Sequence, residues 1–139
     1  FLESGFDLKN KISVLGNFLP DPLPEPWFQK PQESYVAFMG RLSVEKGVDT
    51  ILKVAKKIPD INFVIAGDGP ESNRYKNLVK DNDLTNVWFV GEITGNEKMD
   101  FLRHARCVII PSISYESFPM VTLESMAVGT PVIASKIGG

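Results

Sequence analysis

The chain has 139 residues, 43% of them apolar and 23% charged, the size and composition of one globular domain that buries roughly two-thirds of its unfolded surface. A formal charge of −2 supplies no basic field for nucleic acid, and a single cysteine, Cys107, excludes an internal disulfide and a cysteine-cluster metal site. No apolar run approaches the roughly 18 residues of a membrane span, and the opening FLESGF lacks the basic start and apolar core of a signal peptide.

Residues 1–31 read as a connector. Lys11–Gly16 (KISVLG) has the pattern of a short strand, and prolines follow at 20, 22, 24, 26 and 31. Proline removes backbone donors and fixes φ, so this stretch is expected to be extended and unpaired. Phe18, Leu19, Leu23, Trp27 and Phe28, interleaved among the prolines, suggest packing against a neighbour.

A second unit, 32–139, alternates strands and helices. Tyr35–Met39 is an apolar strand ended by Gly40; Val48, Ile51, Leu52, Ala55 and Ile58 recur at helical spacing until Pro59. Asn62–Ala66 is the next strand, closed by Gly67-Asp68-Gly69-Pro70, and Glu71–Asn82 is a helix with Tyr75, Leu78 and Val79 inward. Val87–Val90 is a strand ended by Gly91, with Trp88 and Phe89 expected in the core, followed by a helix at about Gly95–Ala105. Cys107–Ile110 is a strand, Ser117–Val128 a helix that should be largely buried, and Pro131–Ala134 a final strand. Continuously apolar strands are those covered on both faces. Five of them with crossover helices predict a doubly wound, Rossmann-like parallel α/β sheet. The chain stops at Gly139 just after a strand, so the domain is expected to be incomplete at its C-terminus.

In such a sheet ligands collect at the carboxyl ends of the strands. After the first strand, Gly40 permits a tight turn, Arg41 leaves the strand tip, and Lys46 stands where a helix opens. Two cations beside a helix N-terminus fit a diphosphate, but solvated loop charges paired with Glu45 fit the same residues. Gly67-Asp68-Gly69-Pro70 lacks the third glycine of a dinucleotide fingerprint and reads better as a close-packed turn. After the fourth strand, Ser117 can cap a helix with Pro119 in its first turn. Glu124 falls in the middle of that helix, where a buried carboxylate needs partners: ribose hydroxyls or neighbouring backbone. Glu116 lies on the preceding loop, either exposed or touching a transferred group. His104, near a helix C-terminus, and Cys107 read as structural residues. No Asp-x-Asp pair or His/Asp/Glu cluster marks a metal site in these loops.

Taken in order, FMGRLSVEKGVD, FVIAGDGP, VWFVGEI, the pair Glu116 and Glu124 at E-x7-E spacing, and GTPVIASKIGG resemble the C-terminal domain of GT-B-fold glycosyltransferases of family 4. The stretch KISVLGNFLPD is similar to that family's interdomain connector. The resemblance implies a retaining hexosyltransferase with a nucleoside-diphosphate sugar as donor and no required metal or other cofactor. By position, Arg41 and Lys46 would hold the diphosphate, Glu124 the ribose, and Glu116 the transferred sugar. Backbone at Gly40 and at Phe118, Pro119, Met120 and Val121 would touch donor, and Gly91-Glu92-Ile93 the base. It also implies a glycan or glycolipid acceptor held by an N-terminal domain absent from this chain, so this portion alone is expected to be inactive. Polysaccharide biosynthesis in the cytoplasm, with peripheral contact to the inner face of the membrane, is the matching setting. The chain departs from the family pattern at Phe118-Pro119 and Glu124-Ser125, where many members have Phe-Gly and Glu-Ala. The competing readings are a GT-B sugar-nucleotide epimerase and a non-catalytic nucleotide-sugar-binding module; a dehydrogenase lacks its glycine fingerprint.

Overall fold

The computed structural model describes residues 34–116 and 119–137. The expected connector 1–31, its Lys11–Gly16 strand, Ser117 and Phe118 lie outside the described residues. Five strands, β1 (Tyr35–Met39), β2 (Asn62–Ala66), β3 (Val87–Gly91), β4 (Cys107–Ile110) and β5 (Val132–Ala134), form one sheet in the order β3-β2-β1-β4-β5. Every pairing is parallel, with Tyr35 opposite Asn62, Val36 opposite Cys107 and Val108 opposite Val132. Helices α1 (Val48–Lys57), α2 (Ser72–Asp81), α3 (Gly95–His104) and α4 (Met120–Ala127) make the crossovers.

Side chains of β1 alternate between two cores because successive residues of a strand point to opposite faces. Val36 and Phe38 join Ile51, Leu52 and Tyr75 of α1 and α2. Tyr35 and Ala37 join Phe101 and Leu102 of α3, with Val121 and Val128 at the edge of that cluster. Asn86 stitches the first layer: its buried amide donates to the carbonyls of Ala55, Ile58 and Ile61, at and just beyond the end of α1. The Thr130 hydroxyl adds a second bond to the Leu102 carbonyl near the end of α3, at 2.7 Å.

Burial on both faces holds for the central strands and fails at the edges. Trp88 and Val90 on β3 are 45% and 48% exposed, and Ile133 on β5 is 61% exposed. Trp88 is therefore not a core residue; an edge strand has a neighbour on one side only. Cys107 is half-buried against the first core; burial pushes its thiol up, with nearby Arg106 opposing. The last helix also differs from expectation. It begins at Met120, Pro119 stands before it in extended conformation, and Met126 is 66% exposed. Its buried members are the polar Glu124 and Ser125.

Strand order reverses between β1 and β4, and the loops leaving those two strands are locked together. The Ile113 N–H donates to the Glu45 carbonyl at 2.9 Å. Gly47, at φ 73°, passes so close to Pro111 that a Cβ there would lie 2.0 Å from the Pro111 carbonyl oxygen. The turn after β2 packs the same way: a Cβ on Gly67 would lie 2.0 Å from the Gly40 carbonyl oxygen, which bears out the close-packed reading.

Candidate functional site

At the carboxyl edge of the sheet, where the order reverses, a cavity of about 400 Å³ is lined by Gly40, Arg41, Lys46, Glu116, Pro119, Met120, Val121 and Glu124. These come from the turn after β1, the loop after β4 and the first turns of α4. Phe38, Met39, Lys98, Ile110 and Ser112 complete it. A neighbouring cavity of about 690 Å³ shares Met39, Gly40 and Arg41 and extends over Gly67–Pro70 to Glu92, Ile93 and Thr94. Gly91 ends β3 and does not line either cavity; its carbonyl accepts from the Gly67 N–H at 2.6 Å.

Lys46 is the last residue of a short 3-10 turn, Val44–Lys46, two positions before α1 opens. Its Nζ donates to Glu116 Oε1 at 2.8 Å, and the Ser112 hydroxyl donates to the same oxygen. Glu45, the sequence-adjacent candidate partner, instead accepts from Ser43 Oγ at 2.5 Å. That hydrogen bond holds the Glu45 carboxyl below the ordinary range. For Glu116, burial pushes the carboxyl up, but the bonds from Lys46 and Ser112 outweigh it and the carboxyl is held low. Glu116 is thus neither an exposed loop charge nor alone.

Arg41 is exposed, and its side chain makes no hydrogen bond or salt bridge among the described residues. Glu124 accepts from Lys98 Nζ of α3 at 2.5 Å, a side chain that neither sequence alternative named. Its side chain is 10% exposed and that of Lys98 29%. The cavity therefore carries three cations and two carboxylates, each carboxylate held by one lysine and Arg41 in excess. Such a lining favours an anion, and the first-turn amides of Met120 and Val121 have no acceptor within their own helix. Pro119 contributes none.

Sequence reasoning missed Lys98 and the part played by Ser112. Ser112 stands two positions after β4, in a loop the strand-end rule singles out. Lys98 carries no local signal, because its partner lies 26 positions away. Among the described residues no group of three His, Cys, Asp or Glu is placed to hold a metal ion, and no helix is long and apolar enough to cross a membrane.

Residues 22–139 match the family described as glycosyl transferases group 1. An uncharacterized glycosyltransferase of Methanocaldococcus jannaschii is 33% identical over 133 residues, covering 96% of this chain and 36% of the relative. A D-inositol 3-phosphate glycosyltransferase of a Mycobacterium species is 36% identical over 121 residues, covering 78% and 26%. The structure of Anabaena HepE in complex with UDP and glucose superimposes with a TM-score of 0.67 at 26% identity, covering 76% of this chain and 30% of that one. The chain thus spans about a third or less of the length of the proteins it matches.

Proposed function

Because the chain belongs to the glycosyl transferases group 1 family, we propose that it forms the donor-binding part of a retaining, family 4 glycosyltransferase of GT-B fold. The donor is a nucleoside-diphosphate sugar and the acceptor a glycan or glycolipid held by a second domain. One observation carries this reading: Arg41, Lys46, Glu116 and Glu124, from distant parts of the chain, line a single cavity at the reversal of strand order.

In that cavity Arg41 and Lys46 hold the diphosphate together with the amides of Met120 and Val121. Lys46 exchanges Glu116 for a phosphate oxygen, which leaves the Glu116 carboxylate, still anchored by Ser112, to accept from hydroxyls of the transferred sugar. Glu124 takes the ribose, and the base extends past Gly40 into the neighbouring cavity toward Glu92 and Ile93. When the bond between the anomeric carbon and the phosphate oxygen breaks, the negative charge that develops on the leaving diphosphate falls on fixed cations and amides. The acceptor oxygen bonds the anomeric carbon from the same face, and its proton passes to the departing phosphate. No protein nucleophile is required, and Arg41 and Lys46 supply the positive charge that a metal would otherwise bring.

A ligand-observed NMR titration of the 139-residue chain with UDP, GDP and ADP tests the reading, with Glu124→Gln as control. Saturable binding of one nucleotide, weakened in the variant, is the expected result. Absence of binding by the folded chain, or binding indifferent to Glu124, rejects the site.

A further inference from the structure

Glu124 is a buried carboxylate with one hydrogen-bonding partner among the described residues, the Lys98 ammonium at 2.5 Å. A carboxylate has about four acceptor sites, so this bond leaves several, on a residue that lines the cavity. Lys98 lines the same cavity from α3, whereas the other acidic member, Glu116, is held by a different cation and by Ser112. The two ion pairs are built alike: one oxygen of each carboxylate is anchored by a lysine from a different element. A long, flexible glutamate on a half-exposed helix has several rotamers open to it, and an anchor that selects one lowers the ordering cost of binding.

We propose that Lys98 is a positioning residue for ribose recognition, holding the Glu124 carboxylate in the one orientation that offers its remaining acceptor sites to a vicinal diol. Lys98 acts through Glu124 and touches no reacting atom. The inference rests on the reading of Glu124 as the ribose ligand, and it makes selectivity for ribonucleotides over their deoxy analogues the property that Lys98 controls.

The test measures affinities of the full chain for UDP and for 2′,3′-dideoxy-UDP by calorimetry, with GDP and ADP pairs run alongside. The unsubstituted chain should prefer the ribose form by at least ~10-fold, as expected for hydrogen bonds to a charged group. Lys98→Met should bring that ratio close to one, the ribose form losing far more affinity than the dideoxy form, and Lys98→Arg should restore most of the preference. A Lys98→Met chain that keeps its preference overturns the proposal. Equal weakening of both nucleotides overturns it too, because lysine would then be acting on phosphate or on the fold. The Lys98→Met, Glu124→Gln double variant covers instability of the single one: it should discriminate no less than Glu124→Gln alone, and a further loss also counts against the proposal. If the unsubstituted chain itself shows no ribose preference, the assignment of Glu124 has failed, a result separable from failure of Lys98.

Discussion

The Lys46 ammonium lies 2.8 Å from the Glu116 carboxylate although 70 positions separate them, and this pair spans the two loops at which the strand order reverses. It places a cation and a carboxylate side by side at the mouth of the cavity. Arg41, in the same lining, is left with its charge uncompensated by any salt bridge among the described residues.

Arg41→Ala and Lys46→Ala should each weaken binding of a nucleoside diphosphate by about 1.5–3 kcal/mol, the range for hydrogen bonds to charged groups. The Arg41 variant should also flatten the salt dependence, since Arg41 is exposed and held in no salt bridge among the described residues. Lys46→Ala additionally leaves Glu116 facing the phosphates, so its loss should be the larger at low salt. Calorimetric titration at two salt concentrations checks both; unchanged affinity in both variants removes the clamp.

The acid limb of stability should depend on Glu116. Its carboxyl is held below the ordinary value because the bonds from Lys46 and Ser112 outweigh burial. A depressed carboxyl binds fewer protons in the folded than in the unfolded chain, whose value is about 4.3. The stabilisation is therefore complete above that pH and lost as pH falls through the folded value. The difference in thermal midpoint between the unsubstituted chain and Glu116→Gln should be constant from pH 7 to about 5 and shrink below about 4. A gap that stays constant down to pH 2.5 contradicts this.

Tyr75 contributes to the alkaline limb, alongside Tyr35, whose phenol burial also pushes up. Burial, reinforced by its hydrogen bond to Asp49 at 3.0 Å, pushes the phenol up to about 12. A raised phenol stabilises the fold fully below the unfolded value near 10, and the contribution fades as pH rises through the folded one. Denaturant midpoints of the unsubstituted chain should fall more steeply than those of Tyr75→Phe between about pH 10 and 12. Parallel curves would remove Tyr75 from the alkaline transition.

Gly47→Ala should destabilise the chain by more than the roughly 1–2 kcal/mol that a left-handed residue costs, because the new methyl would overlap the Pro111 carbonyl. Gly129→Ala, also at positive φ but with open space around it, should cost the strain alone. Comparable urea midpoints for the two variants would mean that the β1 and β4 loops part easily.

Truncating aromatics on the sheet should separate edge from centre. Phe38→Ala, at 4% exposure on β1, is expected to cost about 3–5 kcal/mol. Trp88→Ala, at 45% exposure on β3, should cost less than half of that despite the larger ring. Equal losses by chemical denaturation would place Trp88 against a packed surface.

Periodicity and turn residues alone determined the succession of strands and helices, because a strand such as Tyr35–Met39 or a helix with Val48, Ile51, Leu52 and Ala55 is written in local spacing. The strand-end rule then pointed to Arg41, Lys46 and Glu116, since connectivity alone dictates which loops reach the ligand edge, and Glu124 stood out as a carboxylate within an apolar helix. Which charge meets which was decided by the tertiary structure. Lys46 passes over its neighbour Glu45 for Glu116, and Glu124 is held by Lys98 from another helix. The exposure of Trp88 and Met126 was settled in the same way, by their places at a sheet edge and on a one-sided helix. Local pattern reports the period of a segment, whereas ion pairing and burial depend on distances across the fold, and those exist only once the sheet has brought remote loops together.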